Sequence, residues 1–127
     1  LQIIFLLIRM YPSREIVSSP DREQLKEVLQ EISVKSSENL SVADMAKFCG
    51  WSSSHFMRWF KKMTGDSFTS YVNDRRLAEA AEALRQTDDK ILTISQDAGF
   101  MNLSNFNRQF KKRYGVTPRE YREMIGI

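Results

Sequence analysis

A pattern that occurs twice constrains the fold of this chain more than any other feature. Residues 56–67 read FMRWFKKMTGDS and residues 106–117 read FNRQFKKRYGVT, so Phe, Arg, Phe, Lys-Lys, Gly and a Ser or Thr recur at a constant spacing of 50 residues. Upstream of Phe56 the spacing drops to 49 residues, which places one extra residue in the second copy. We interpret the pattern as an internal duplication, so the chain should contain two similar units.

Each copy predicts a helix with one packed face and one cationic face. Phe106 and Phe110 are four residues apart and therefore lie on the same side of a helix. Gly115 can adopt the left-handed conformation that ends a helix, and Thr117-Pro118-x-Glu120 has the residues of a capping box that begins the next one. Six aromatic residues are predicted to be core, although aromatic residues can also stack on single-stranded bases: Trp51, Phe56, Phe60, Phe100, Phe106 and Phe110.

The rest of the chain predicts an all-α fold of about seven helices. Leu25, Val28, Leu29 and Ile32 have helical spacing within residues 20–35. One short helix should begin after Ser41 and end near Gly50, and the next should be capped by Ser52 or Ser53. A helix that follows residue 86 should be capped by Asp88 or Asp89. We predict one helix-turn-helix at 41–63, a long linker helix at 67–86 and a second helix-turn-helix at 90–114, within a domain spanning 20–127.

The N-terminal segment is apolar but short. Leu1–Ile8 is well below the roughly 20 residues that span a bilayer, and it has no basic leader or small-residue cleavage site typical of a signal peptide. We expect residues 1–19 to be the remnant of an upstream domain, with Tyr11–Pro20 as the linker. A dimerising or crystal-contact helix is the alternative for Leu1–Arg9.

The charge distribution indicates a polyanion partner. The net charge is only +3, but residues 41–127 contain fourteen Lys and Arg against ten acids, whereas residues 1–40 contain five against six. The stretches 50–65 and 98–119 contain no Asp or Glu. Most lysine-rich helix faces are simply solvated, but the repetition of an acid-free face favours binding of nucleic acid.

Catalytic and metal chemistry have little support in the sequence. Cys49 is the only cysteine and His55 the only histidine, which excludes an internal disulfide and a multi-histidine metal site. Cys49 is expected to be a small buried residue. Ser54-His55 with Asp66 lacks any sign of an oxyanion hole or a nucleophile elbow. We therefore expect a protein of the cytoplasm that is not an enzyme and needs no cofactor and no membrane.

The residues of the second copy carry a family resemblance. The pattern Ile94-Ser95-x-x-Ala98-Gly99-Phe100, followed by Phe106-x-Arg108-x-Phe110-Lys111-Lys112-x-Tyr114-Gly115-x-Thr117-Pro118-x-x-Tyr121-Arg122, resembles the AraC/XylS family of bacterial transcription regulators. The likeness covers about Ile32 to Met124. Ser95 departs from the alanine that is common in the family.

The resemblance implies a function and a set of partners. It implies two homeodomain-like helix-turn-helix subdomains that place their second helices in successive major-groove segments of double-stranded DNA. It also implies an activator that recruits RNA polymerase, with an N-terminal domain, absent here, that binds an effector or dimerises.

Groove chemistry and the resemblance together assign the site residues. An arginine pairs with guanine, an asparagine with adenine, a serine with either, and apolar side chains can contact a thymine methyl. The predicted base-reading residues are Ser53, Ser54, Met57, Arg58, Leu103, Ser104, Asn105, Asn107 and Arg108. The predicted phosphate contacts are His55, Lys61, Lys62, Lys111 and Lys112, with a plain surface role as the alternative for His55.

Two other classes of protein remain open on sequence alone. A helical protein-interaction adaptor would use the same basic faces to bind an acidic partner, without preference for duplex DNA. An enzyme is the third class, and the sequence offers no site for it. The salt dependence of duplex binding separates the first two, because each phosphate contact contributes about 0.9 to the log–log slope.

Overall fold

Residues 19–126 are described by a computed structural model, and every regular element within that range is an α-helix. The seven helices are α1 (Ser19–Lys35), α2 (Val42–Cys49), α3 (Ser53–Thr64), α4 (Phe68–Gln86), α5 (Ile91–Asp97), α6 (Leu103–Tyr114) and α7 (Pro118–Ile125). The predicted fold class is confirmed: α2–α3 and α5–α6 are the two helix-turn-helix pairs, and α4 is the long helix between them. The predicted bounds of the two pairs and of the linker helix differ from these by at most one residue.

The predictions for the N-terminal segment fall mostly outside this range. The upstream-domain remnant and residues 11–18 of the predicted linker lie outside the described residues. The last two residues of that linker, Ser19 and Pro20, belong instead to helix α1. Proline is well accommodated in the first turn of a helix, where its missing N–H would have no partner.

The helices divide into two units. Within the described range, the first unit comprises residues 19–35 and 40–70, and the second comprises residues 36–39 and 71–126. The first three residues of α4 belong to the first unit and the rest of the helix to the second.

The core of the first unit contains the residues that helical spacing predicts. Leu25, Val28, Leu29 and Ile32 of α1 are all buried. On α3, Phe56 and Phe60 are fully buried, and both rings meet Phe68 edge-on, with centroids 5.4 and 5.6 Å away. Burial of four aliphatic and three aromatic side chains supplies the main stabilising term for this unit.

The core of the second unit has the same design. Leu77, Ala80, Ala81 and Leu84 of α4 pack with Ile94, Ala98, Phe100, Phe106 and Phe110 in one buried cluster. Phe110 lies at its centre, with ring centroids 5.8 Å from Phe106, 4.6 Å from Tyr114 and 5.4 Å from Tyr121. Tyr121 of α7 therefore closes the cluster on the side facing that helix.

The helix ends follow the predicted capping residues, with one exception. Ser41, Ser52 and Thr117 each accept a backbone N–H at the start of α2, α3 and α7, and Thr117 with Glu120 forms a complete capping box. The hydrogen bonds from Thr117 hold the pKa of the Glu120 carboxyl below its usual range. Gly115 ends α6 at φ +82°, a conformation that favours glycine.

The exception is helix α5. Neither Asp88 nor Asp89 caps it: the N-cap is Lys90, whose side chain makes no capping hydrogen bond. The preceding loop is instead held by Arg122, which donates to the carbonyls of Leu84, Thr87 and Asp89 at 3.4, 3.0 and 2.6 Å. Because the Asp89 carbonyl is fixed by this contact, the helix begins after it rather than at an aspartate cap.

Replacing Arg122 with alanine should destabilise the chain. The guanidinium satisfies three carbonyls around the end of α4, so its removal should lower the free energy of unfolding by about 1–3 kcal/mol. Urea unfolding measures the change. Arg119→Ala is the matched control on the same helix: this side chain is 83% exposed and meets Glu123 only at 3.6 Å, so its loss should cost no more than about 0.5 kcal/mol. Equal effects of the two variants would contradict the role of Arg122.

Ser36–Asn39, in the loop between α1 and α2, belong to the second unit. Arg76 of α4 donates to the carbonyls of Ser36 and Glu38 at 2.5 and 2.6 Å, and the Ser36 hydroxyl donates to Glu79 at 2.9 Å. Partial burial lowers the pKa of Arg76, and the nearby Glu79 carboxylate opposes that shift. A Cβ on Gly99 (φ +101°) would lie 3.0 Å from the Ser37 carbonyl and from Arg76, so only glycine fits there.

Candidate nucleic-acid interface

The turns between the paired helices are built alike in the two units. After α2, Trp51 N–H donates to the carbonyl of Ala46 at 2.8 Å; after α5, Phe100 N–H donates to Ser95 at 2.9 Å. Both acceptor residues are buried. The hydroxyl of Ser95, which departs from the family's usual alanine, is satisfied because it donates to the Leu92 carbonyl at 2.8 Å.

Met101 is the extra residue of the second turn. The matching backbone bonds pair Trp51 with Phe100, and the matching N-caps pair Ser52 with Asn102. Only Met101 then has no counterpart in the first turn. Its side chain is fully exposed, so the insertion lengthens the turn without entering the core.

The second helix of each pair begins with a side-chain cap. Ser52 accepts the N–H of His55 at 3.2 Å at the start of α3, and Asn102 accepts the N–H of Asn105 at 2.8 Å at the start of α6. Both helices bury two phenylalanines and contain no acid. Their remaining faces carry all the residues predicted to contact DNA.

The predicted base-reading residues of the first unit lie on the open face of α3. Ser53, Ser54 and Arg58 are exposed, and Met57 is 47% exposed although it is apolar. Arg58 forms no side-chain hydrogen bond or ion pair with any other residue between 19 and 126. An exposed thioether and an unrestrained guanidinium beside two hydroxyls give this face both apolar and donor groups.

The corresponding residues of α6 are less uniform. Ser104 and Arg108 are exposed and Leu103 is 37% exposed, whereas Asn105 and Asn107 are half-buried. Nη2 of Arg108 donates to Oδ1 of Asn105 at 2.6 Å. This contact was not predicted from the sequence, although a spacing of three residues on a helix allows it.

The basic residues differ in their partners. Lys35, Arg75, Arg85, Arg113 and Arg119 form ion pairs with acids of their own unit, while Arg76 and Arg122 donate to backbone carbonyls. By contrast, six exposed cations of α3 and α6, which we call the recognition helices, form no ion pair with an acid in the part of the chain that is described: Arg58, Lys61, Lys62, Arg108, Lys111 and Lys112. Of these, Lys111 lies near enough to Glu120 to help lower the pKa of its carboxyl. Arg113 and Arg119, which lie in the acid-free stretch of sequence, pair with acids outside it, Asp74 and Glu123.

An aromatic cluster on the first unit corrects one sequence prediction. Trp51 is half-buried rather than core; its ring lies 4.4 Å from the exposed His55 ring and 5.0 Å from Trp59. The indole N–H of Trp59 donates to Asp21 of α1 at 3.2 Å. The other five aromatic residues assigned to the core are buried as predicted.

Cys49 was expected to be buried, and it too is more exposed than predicted. It is half-buried, and its sulfur accepts a hydrogen bond from the amide of Gln24 at 3.4 Å. Burial raises the pKa of the thiol, and the hydrogen bond from Gln24 acts against that rise. The last turn of the short helix α2 lies too near the surface to enclose the side chain.

Two kinds of site are not found in the described residues. No group of three or more His, Cys, Asp or Glu side chains there has the arrangement of a metal site. No helix among residues 19–126 combines the length and the apolar character needed to cross a membrane.

Two helix-turn-helix pairs, each ending in a capped, acid-free helix with unpaired cations, define a DNA-binding helix-turn-helix domain. A family model for a helix-turn-helix domain matches residues 45–124. The chain belongs to the AraC/XylS family of DNA-binding transcription regulators, as the residue pattern around Ala98–Arg122 indicated. Membership places it among regulators and not among enzymes.

Individual relatives agree with this assignment. The chain is 36% identical over 88 residues to the uncharacterised helix-turn-helix transcriptional regulator YobQ of Bacillus subtilis, covering 69% of this chain and 36% of that protein. It is 31% identical over 130 residues to the regulatory protein PocR of Salmonella typhimurium, covering 98% of this chain and 43% of PocR. The chain thus spans less than half the length of these relatives.

A solved structure agrees as well. A transcriptional regulator from Chromobacterium violaceum with an AraC-type DNA-binding domain superposes with a TM-score of 0.76 at 28% identity. The match covers 85% of this chain and 96% of that one. The fold is therefore that of a known AraC-type DNA-binding domain.

Proposed function

We propose that this chain recognises a specific duplex DNA sequence by placing α3 and α6 in successive major-groove segments. The observation that carries the proposal is the group of six exposed cations on these helices that form no ion pair within residues 19–126. Unpaired exposed charge on a capped helix without acids is suited to a polyanion, and an α-helix fits the major groove.

Base reading is proposed for the exposed polar and apolar side chains near the start of each recognition helix. Arg58 and Arg108 can each donate two hydrogen bonds to the O6 and N7 atoms of guanine, and Asn107 can pair with adenine. Met57 and Leu103 can contact a thymine methyl group. The hydroxyls of Ser53, Ser54 and Ser104 can donate or accept at either kind of base edge.

Phosphate contacts are proposed for the lysines one turn further along. Lys61 and Lys62 occupy the same positions on α3 that Lys111 and Lys112 occupy on α6, and all four are exposed. His55 is exposed near the start of α3, where its ring can also reach a phosphate. Such contacts fix the register of the protein on the duplex without reading its sequence.

The role of the whole protein is proposed by analogy with its family. We infer an activator of transcription in the bacterial cytoplasm that contacts RNA polymerase, with an upstream domain that binds an effector or dimerises. The support is membership of the AraC/XylS family and the match to PocR, which is a regulatory protein.

A binding experiment separates this function from that of a protein-interaction adaptor. The chain should be titrated with labelled random and selected duplexes at 50 to 200 mM salt, after selection of bound sequences from a random duplex pool. A specific DNA-binding domain should yield a recurrent sequence and an affinity that falls steeply with salt. An adaptor should yield no recurrent sequence, and acidic peptides should compete with any duplex for its basic faces.

Arg108→Ala should reduce sequence discrimination while leaving the fold intact. The side chain is exposed, so the free energy of unfolding should stay within about 0.5 kcal/mol of the wild-type value. Loss of a bidentate contact to guanine should cost about 1–3 kcal/mol of preference for the selected duplex over a random one. Arg119→Ala is the matched control, because that arginine pairs with Glu123 on α7. Wild-type preference in the Arg108 variant would refute the assignment.

A further inference from the structure

Asn102, Asn105 and Arg108, at the start of α6, are linked by two hydrogen bonds at a spacing of three residues. Oδ1 of Asn102, the N-cap, accepts the backbone N–H of Asn105 at 2.8 Å. Oδ1 of Asn105 in turn accepts Nη2–H of Arg108 at 2.6 Å. The cap therefore fixes the backbone of the residue whose side chain holds the guanidinium.

The first recognition helix, α3, has the capping hydrogen bond but lacks the side-chain hydrogen bond to its arginine. Ser52 caps the N–H of His55 in the same way, but the His55 ring stacks on Trp51 with centroids 4.4 Å apart. Arg58, which corresponds to Arg108, has no side-chain partner among residues 19–126. The two helices share a sequence pattern and differ in how their arginine is held.

The hydrogen bond to Asn105 restricts the Arg108 side chain before it meets DNA, which favours pairing with guanine. An arginine loses several rotatable degrees of freedom when it pairs with a base, so a hydrogen bond that already restricts Arg108 lowers that cost on binding. Nη2 carries two hydrogens, and one remains available together with those of Nη1 for the O6 and N7 atoms of guanine. The carbonyl oxygen of Asn105, which a contact with adenine would require, is turned toward Arg108.

We propose that Asn105 is a positioning residue that orients Arg108 toward a guanine in the part of the DNA site contacted by α6, instead of contacting a base itself. This inference rests on the proposed function, because it assumes that α6 enters the major groove. It predicts a guanine in the half of the site read by α6, and it predicts that the preference for this guanine depends on the acceptor at position 105.

The test uses the duplex selected from a random pool by the wild-type chain. Each guanine of that duplex is replaced in turn by 7-deazaguanine, which lacks the N7 acceptor, or by another base. Binding is measured for the wild type, Asn105→Ala, Asn105→Asp, Arg108→Ala and the double alanine variant. Asn39→Ala, an exposed asparagine in the loop before α2, is the control for loss of an asparagine, and circular dichroism checks that each variant is folded.

One guanine should respond to both residues. Arg108→Ala should abolish the preference for it, and Asn105→Ala should reduce that preference about fivefold or more, within the range of one bidentate pair. The double variant should show no further loss beyond Arg108→Ala. Asn105→Asp keeps an acceptor but has no amide donors, so it should keep the guanine preference while its affinity for every duplex falls. Asn39→Ala should behave as the wild type does.

Other results would overturn the inference. They are a selected site with no guanine that responds to Arg108, a guanine preference unchanged in Asn105→Ala, or an adenine preference that Asn105→Ala and Asn105→Asp both lose. Failure of the wild-type chain to select any sequence would instead refute the proposed function. If Asn105→Ala proved unfolded, Asn105→Leu would replace it, because leucine has nearly the same branched shape as asparagine and, like alanine, lacks a side-chain acceptor; an unchanged guanine preference in that variant would overturn the inference.

Discussion

Phe110→Ala is expected to lower the free energy of unfolding by about 3–5 kcal/mol, the usual cost of removing a fully buried phenylalanine. The Phe110 side chain is completely inaccessible and contacts three other aromatic rings of the second unit. Its removal leaves a cavity between α6 and α7 that those rings cannot fill without leaving their own contacts. Urea unfolding followed by circular dichroism measures the loss.

Phe48→Ala provides the matched control for that experiment. Phe48 lies on α2 and is 47% exposed, so the same substitution should cost about 1 kcal/mol or less. The comparison separates burial from residue type. An undiminished stability of the Phe110 variant, or equal losses in both variants, would show that Phe110 is not in the core of the second unit.

Replacement of Lys61, Lys62, Lys111 and Lys112 together by alanine should greatly weaken the salt dependence of duplex binding. If each lysine neutralises one phosphate, the log–log slope should decrease in magnitude by about 3.6. Between 50 and 200 mM salt the wild type should then lose about 150-fold more affinity than the variant. Alanine is a good helix former, so α3 and α6 should remain folded.

The control for this experiment replaces lysines of α1. Lys26 and Lys35 are exposed, and Lys35 forms an ion pair with Glu31 at 2.7 Å. Their replacement by alanine should change the slope by much less than 0.9 per lysine. A four-lysine variant with the wild-type slope would show that these side chains do not contact phosphates. An equal slope change per lysine in both variants would show that the lysines of α3 and α6 contribute only non-specific attraction.

Much of the fold could be predicted because local rules and the duplication agree. Phe106 and Phe110 are buried because their spacing places them on one side of a helix, and the same holds for Phe56 and Phe60. Gly115 takes the positive φ that its position at a helix end requires. Because the pattern occurs twice, each buried position is predicted independently in both copies, and the agreement between the copies argues against a chance resemblance.

The start of α5 could not be predicted from local sequence. An aspartate before a short helix is a good cap on local grounds, but the Asp89 carbonyl is held by Arg122, more than thirty residues away. Local sequence does not record a contact of that kind. The position of Trp51 was missed for a related reason: its partner in the repeat, Phe100, is buried, whereas Trp51 packs on the exposed His55.

The sequence predicted which side chains of the candidate interface are exposed, but not which hydrogen bonds and ion pairs they form. Helical periodicity showed which side chains would be exposed, including Lys61 and Lys111. It did not show that Arg113 is paired with Asp74 of α4, or that Arg108 is bonded to Asn105. Which acceptor a long, flexible cation chooses depends on the neighbouring helices, and those become known only when the chain is folded.

The segment Ser36–Asn39 makes the second unit discontinuous in sequence, which limits how the gene could be recombined. A polypeptide starting at Tyr71 would omit the carbonyls that Arg76 uses and the hydroxyl that binds Glu79. Exchange of one helix-turn-helix between homologues would therefore have to carry these four residues along with the later helices. A splice placed within α4 before Arg76 would separate its guanidinium from the carbonyls of Ser36 and Glu38.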